Sequence, residues 1–219
     1  MTETASLLRL MSWLSPVFPT GGFAHSAGLE QAVHDGHVTN AEALHDWIRA
    51  QLSFGSLWND AVFLASANQR AKDDLSCDDI IELAIAMTNA SERLSETIKQ
   101  GNSFSDAVGT WIDENHRLPP KTPLPIHIGW AGGHSHIKAE DCVAAYLHAF
   151  ASNQLQAAIR LSVIGQNASA KLLGQLEPSI VQAAQKAASS TLEDLGTCTF
   201  LADIAAMKHE TLQPRLFLS

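Results

Sequence analysis

The sequence contains no apolar run of the roughly 20 residues that a helix needs to span a membrane. Its first residues place the acidic Glu3 ahead of any apolar stretch, and they lack the basic start and the small-residue cleavage site of a secretion signal. These two absences predict a cytoplasmic protein.

Cysteines and basic residues are also scarce. The three cysteines, Cys77, Cys142 and Cys198, form no C-x-x-C pair, and an odd count without such a pair is typical of a reducing compartment. Lys and Arg number 14 against 23 Asp and Glu, which gives a formal net charge of −9. This charge opposes attraction to phosphate backbones and anionic lipids, so we expect neither nucleic acid nor a membrane as a partner.

Alternating β-branched runs are missing as well, whereas helical periodicity recurs along most of the sequence. Apolar residues lie at helical spacing in 44–52, after the cap candidates Thr39 and Asn40, and again in 143–150. Ser76 resembles an N-cap for a helix that begins with two aspartates. We therefore predict an all-α fold, a single helical domain over residues 1–219 with roughly eight to ten helices.

Prolines concentrate in the segment 118–125, which contains four of them. Such a segment serves either as a linker between two domains or as a stiff surface loop within one domain. We favour the loop, because one large helical domain is the simpler interpretation of a chain of this length.

Histidines suggest a metal site at first sight, and His134 and His136 beside Gly132 and Gly133 form the densest pair. Residues two apart point to nearly opposite sides of a helix, so this pair can share an ion only in a loop. Neither an H-E-x-x-H motif nor a Cys/His framework accompanies them. We expect surface or hydrogen-bonded histidines, with transient contact to Ni²⁺ as the alternative.

The segment 24–28 approximates the G-x-S-x-G nucleophile elbow, and Asp203 and His209 follow Ser26 in the order found in hydrolases. The elbow requires a strand before the serine, but Gly21 and Gly22 stand close before it. We favour a packed turn and keep a hydrolase that uses Ser26, Asp203 and His209, or a metal-dependent hydrolase, as the alternative function. The same two glycines lack the lysine of a phosphate-binding loop, so we expect no bound nucleotide or other cofactor.

Three segments together resemble the UreF family of urease accessory proteins. The first, residues 15–30, reads SPVFPTGGFAHSAGLE and follows an apolar helix that includes 7–10. The second, residues 157–166, reads AAIRLSVIGQ, and the third, residues 203–217, reads DIAAMKHETLQPRLF. The sequence departs from the family pattern at Ala24, where a hydroxyl residue is usual, at His25, where an aromatic is common, and at Leu218, where a basic residue often stands. Pro214 is also unusual there.

The resemblance implies an all-α homodimer without catalytic, cofactor-binding or metal-binding residues of its own. Such a protein joins the accessory protein UreD (also called UreH) to the nickel-binding GTPase UreG and helps to activate the urease apoenzyme. Catalysis then belongs to its partners. The residues that we expect to contact these partners are Glu30, Arg160, Gln166, Lys171, His209, Glu210, Arg215, Leu216 and Phe217, with Arg160 and Arg215 directed to the GTPase.

Three further expectations concern apolar segments. The N-terminal apolar residues Leu7, Leu8, Leu10, Met11 and Leu14 need a cover, either the core, a partner or a second subunit. The Ala-rich stretch 180–188 is suited to a dimer contact or to the core. The segment 208–219 is expected to finish a helix by residue 211 and to continue as a tail outside the fold that orders on UreD; the alternative is that it packs on its own domain.

Overall fold

The computed structural model describes residues 2–219, and its backbone forms helices connected by turns. Ten α-helices occur in this range: α1 (Glu3–Trp13), α2 (Leu29–His34), α3 (Ala41–Phe54), α4 (Ser56–Lys72), α5 (Asp78–Ala86), α6 (Ser91–Ala107), α7 (Leu124–His134), α8 (Ala139–Arg160), α9 (Gln166–Ala188) and α10 (Phe200–His209). Short 3₁₀ turns lie at Gly22–Ala24, Val108–Thr110, Glu114–His116 and Leu192–Asp194. Residues 2–219 contain no strand, so the predicted all-α fold is confirmed.

The predicted helix starts are accurate to about one residue. Asn40 caps α3, because its Oδ1 accepts hydrogen bonds from the backbone N–H groups of Glu42 and Ala43, each at 3.0 Å. Ser76 accepts from the N–H of Asp78 at 3.1 Å, although the residue that directly precedes α5 is Cys77. Local side-chain chemistry therefore starts these helices where the sequence indicates.

Helix α4 forms the centre of the fold, with buried residues on all its sides. It packs most closely against α7, where glycines let the two backbones approach. A Cβ atom on Gly129 would lie 2.1 Å from the carbonyl oxygen of Leu64, and one on Gly133 would lie 2.4 Å from that of Asn68. The two helices pack closely because these positions have no side chain.

Helices α8 and α9 pack against each other, and both also contact α4. The Ala-rich stretch 180–188 lies in α9, and its residues Ile180, Ala183, Ala184 and Ala187 are buried in the chain's own core. The prediction that the stretch 180–188 packs in the core is therefore confirmed for these four residues. Dimerisation stays a prediction.

The N-terminal helix α1 is covered on one side only. Leu10 and Trp13 are buried, and the Trp13 ring packs edge-on against Phe104 with 6.0 Å between ring centres. Three other apolar residues of α1 point to solvent: Leu7, Leu8 and Met11. The core thus accounts for only part of the apolar surface of this helix.

The Pro-rich segment is a loop that leads into α7, as expected. Thr122 within it is fully buried, and its Oγ1 donates to the carbonyl of Pro119 at 2.8 Å. Packing on both sides of the loop belongs to the same core, since Phe104 before it and Ile128 after it share one hydrophobic cluster. No helix between residues 2 and 219 is long and apolar enough to cross a membrane.

Candidate functional site

The segment 210–219, which we call the C-terminal strap, turns back after α10 and is pinned to the beginning of the chain. The N–H of Leu218 donates to the carbonyl of Ala24 at 2.8 Å. The carbonyl oxygen of Ser219 accepts from the N–H of Ser26 at 2.6 Å and from its Oγ at 2.7 Å. These contacts hold the last residues of the strap beside the turn before α2.

Glu30 on α2 holds the middle of the strap. Its Oε1 accepts from the N–H of Leu216 at 2.7 Å, and its Oε2 accepts from the N–H of Phe217 at 3.0 Å. The Phe217 ring is 2% exposed and belongs to the main core cluster. The expectation of a tail outside the fold is therefore wrong: one carboxylate satisfies two backbone donors and so allows Phe217 to be buried.

His209, the last residue of α10, contacts Glu30 as well. Its fully buried ring lies between two carboxylates, with Nε2 at 3.1 Å from Oε2 of Glu30 and Nδ1 at 2.7 Å from Oε2 of Glu92. The other oxygen of Glu92 accepts from the Arg215 guanidinium. Glu210 is exposed, and its carboxylate accepts from the N–H of Ser91. Hydrogen bonds from the side chain and the backbone of Ser91 lower the pKa of Glu210.

Arg160 ends α8 and lies against the strap. Its guanidinium lies over the Phe217 ring, 4.2 Å from the ring centre, and donates to the carbonyl of Phe23 at 2.9 Å. Phe23, Leu216 and Leu218 are 72%, 60% and 57% exposed. We call Phe23, Arg160, Leu216 and Leu218 the strap surface: a cation surrounded by apolar side chains, a composition typical of protein-binding sites.

The predicted site residues therefore divide into four groups. Glu30, His209 and Phe217 are buried and support the strap from within, whereas Arg160, Arg215 and Leu216 reach its surface. Gln166 and Lys171 are exposed on the first turns of α9, and Glu210 caps α6.

Sequence reasoning missed two residues of this site. Glu92 carries the second carboxylate beside His209, and Phe23 contributes the exposed aromatic ring of the strap surface. Glu92 follows Ser91 at the start of α6, where an acidic residue is common for reasons of helix stability. No signal in the sequence distinguishes it from such a residue.

A cluster of buried charges lies on the inner side of the strap. Arg93 pairs with Asp60 and with Glu96, whose Oε1 is 3.1 Å from the guanidinium. The Tyr146 hydroxyl donates to Asp60 at 2.7 Å, and the Ser219 hydroxyl donates to Glu96 at 2.8 Å. Burial raises the pKa values of Asp60 and Tyr146, and the two carboxylates raise that of Arg93 although burial opposes its charge.

This cluster lines an open cavity between α4, α6 and α10. Asp203 of α10 also faces it, and burial raises the pKa of its carboxyl group while a hydrogen bond from Asn89 lowers it. The bulky residues of α10 point away from the cavity into solvent: Phe200, Leu201, Ile204 and Met207 are 72%, 47%, 50% and 46% exposed. Helix α10 thus presents an apolar outer face that no other residue between 2 and 219 covers.

The residues of the hydrolase alternative do not form a relay. The Ser26 hydroxyl is fully buried and donates to Ser219, and both ring nitrogens of His209 face glutamates. Asp203 bonds to Asn89 instead. The geometry therefore contradicts a nucleophilic role for Ser26, because nucleophilic catalysis requires the base to contact the serine.

The histidine pair also separates. His134 ends α7 and stacks on His116 with 4.0 Å between ring centres, while His136 is exposed in the following turn. His127 is buried, and burial lowers its pKa to about 4. Within residues 2–219, no group of three or more His, Cys, Asp or Glu side chains is arranged to hold a metal ion.

Comparison with known proteins agrees with the resemblance. The model of the UreF family matches residues 38–177. The urease accessory protein UreF of Brucella ovis is 48% identical over 218 residues, which cover 99% of this chain and 95% of that protein. The protein of the same name from Mesorhizobium japonicum is 45% identical over 218 residues, covering 99% and 98%. These alignments include α1 and the strap, which lie outside the family model.

Proposed function

The chain belongs to the UreF family of urease accessory proteins, and we propose that it is a non-enzymatic scaffold in the cytoplasm that joins UreD (UreH) to the nickel-binding GTPase UreG. In this role it helps to control the GTP-dependent insertion of nickel into the urease apoenzyme. The nickel is cargo of the assembly.

The observation that carries this proposal is the strap surface. Arg160 is fixed by the Phe217 ring and by the carbonyl of Phe23, so its charge stands at a defined place among exposed apolar side chains. A planar guanidinium held in this way pairs well with a carboxylate of a partner. We assign this surface to UreG.

This assignment modifies the expectation that the tail docks onto UreD. The Arg160 guanidinium stacks on the Phe217 ring, and the N–H of Leu218 donates to Ala24, which follows Phe23. The strap and Arg160 therefore form one continuous surface. We therefore assign the strap and Arg160 to a single partner.

Two further apolar faces supply contacts for the remaining partners. The outer face of α10 exposes Phe200 and Ile204, and that of α1 exposes Leu7 and Met11. Exposed apolar patches of this kind mark interaction sites. We assign the α10 face to UreD and the α1 face to a second copy of the chain; a monomeric mass by light scattering at micromolar concentration would contradict the homodimer.

The experiment that tests the strap surface compares two charge reversals. Arg160→Glu is expected to abolish capture of UreG while capture of UreD is retained. Arg49→Glu on α3 is the matched control, because Arg49 is an exposed arginine that pairs with its helix neighbour Asp46. Retained capture of UreG by the Arg160→Glu protein would remove this surface from the proposal.

A further inference from the structure

The buried ring of His209 bridges Glu30 and Glu92, two of the carboxylates that bind the strap. It has no solvent exposure, and each of its nitrogens faces a carboxylate oxygen, at 2.7 Å on the side of Glu92 and at 3.1 Å on the side of Glu30. A neutral imidazole has one N–H donor and one lone pair. One of the two contacts would then set a lone pair against a carboxylate.

The surroundings of the two glutamates favour their ionised forms, because each carboxylate faces donors besides the ring. Both oxygens of Glu30 accept backbone N–H groups, from Leu216 and Phe217. The second oxygen of Glu92 pairs with Arg215. Both carboxyl groups are thus arranged as ionised acceptors, and the proton belongs on the ring.

The charges around His209 balance on this basis. Glu30 comes from α2 and Glu92 from α6, and Arg215 of the strap adds the second cation. The charged neighbours on α10 itself have other partners, since Lys208 pairs with Asp35 at 2.9 Å and Glu210 bonds to Ser91. A cluster of two anions and two cations around a buried ring is much less costly than one with an unpaired buried charge.

We propose that His209 carries a proton on both ring nitrogens and acts as the positioning residue of the strap. The imidazolium holds Glu30 in the orientation that binds the N–H groups of Leu216 and Phe217. It also pairs with Glu92, which in turn binds Arg215 of the strap. It therefore keeps the strap surface in its binding form. This inference rests on the proposed role of that surface, and the measurements below separate the two.

The first measurement determines the protonation state directly. Nitrogen NMR of the histidine-labelled full-length protein at neutral pH is expected to show two protonated ring nitrogens for His209, assigned by the loss of its signal in His209→Gln. A neutral tautomer in the wild-type protein would overturn the proposal, whatever the behaviour of any variant.

The second measurement tests the effect on the strap. In His209→Gln, hydrogen exchange at the amides of Leu216 and Phe217 should become faster by about ten- to a hundredfold, the factor expected for loss of a charge-assisted hydrogen bond, while exchange in α4 and α8 stays as in the wild type. Lys208→Gln is the matched control, since it removes an adjacent exposed cation. Unchanged exchange at the two amides would overturn the positioning role.

Capture of UreG separates this inference from the proposed function. Faster exchange in His209→Gln together with weaker capture supports both. Faster exchange with undiminished capture leaves the positioning role intact and contradicts the assignment of the strap surface to UreG. If His209→Gln does not fold, His209→Asn replaces it in the exchange and capture measurements, with the same outcomes for and against the positioning role.

Discussion

The Arg160 guanidinium lies 4.2 Å from the centre of the Phe217 ring, so a residue at the end of α8 covers an aromatic ring that comes 57 residues later in the chain. The ring is buried beneath it, and the charge remains at the surface. Stability and recognition are therefore joined at this contact, since the same ring that fills the core also fixes the cation.

Arg160→Lys should separate these two contributions. A lysine keeps the charge but loses the planar group over the ring and the bond to the Phe23 carbonyl, so we expect the free energy of unfolding to fall by about 1 kcal/mol. Chemical denaturation measures this change. Capture of UreG should weaken as well, because the charge is no longer held in place, and a lysine variant that binds and unfolds like the wild type would contradict the importance of the stacked geometry.

Phe217→Ala should destabilise the whole protein. Removal of a buried phenylalanine typically costs about 3–5 kcal/mol, which for a chain of this size lowers Tm by about 10 °C. Leu218→Ala is the matched control in the neighbouring position, and its exposed side chain predicts a change within about 0.5 kcal/mol. Equal melting temperatures for the two variants would show that the strap is not part of the core.

Deletion of residues 212–219 should likewise lower the melting temperature by more than Leu218→Ala does. The deletion removes Phe217 from the core, leaves Glu30 without its two backbone donors and leaves Glu92 without Arg215. Buried polar groups without partners add to the loss of stability. Thermal unfolding followed by far-UV circular dichroism gives the comparison, and an unchanged transition would restore the view of the segment as a tail outside the fold.

The position of this segment shows what the sequence can predict. Local signals place α3 and its cap Asn40 correctly, because capping and helical periodicity involve residues a few positions apart. The strap depends on a bond between Glu30 and the N–H of Leu216, which are 186 residues apart, and nothing local indicates it. The apolar character of Leu216 and Phe217 is visible in the sequence, but this distant carboxylate decides whether a partner or the core covers them.

Lowering the pH should destabilise the folded protein because His127 is buried. Burial lowers its pKa from 6.5 to about 4, so between these values the unfolded chain binds a proton that the folded protein does not. The free energy of unfolding therefore decreases as the pH falls through this window, by about 3 kcal/mol in total. His127→Leu should flatten the profile by a comparable amount when denaturation is measured at several pH values, and a parallel profile would contradict this cause.

The outer face of α10 should be required for binding of UreD but not for folding. Phe200 and Ile204 are 72% and 50% exposed, so a Phe200→Ser, Ile204→Ser double variant loses little buried surface and should melt close to the wild-type temperature. The same change removes two large apolar side chains from the centre of the face, where interface residues contribute most of the binding energy. We expect capture of UreD to be lost in a pull-down with purified proteins while capture of UreG through the strap surface persists. Val181→Ser on α9, whose side chain is 49% exposed, provides the control for removal of an apolar surface residue elsewhere. Undiminished capture of UreD by the double variant would show that this face serves another partner, since an interface that tolerates two polar residues at its centre is not held together by apolar contact.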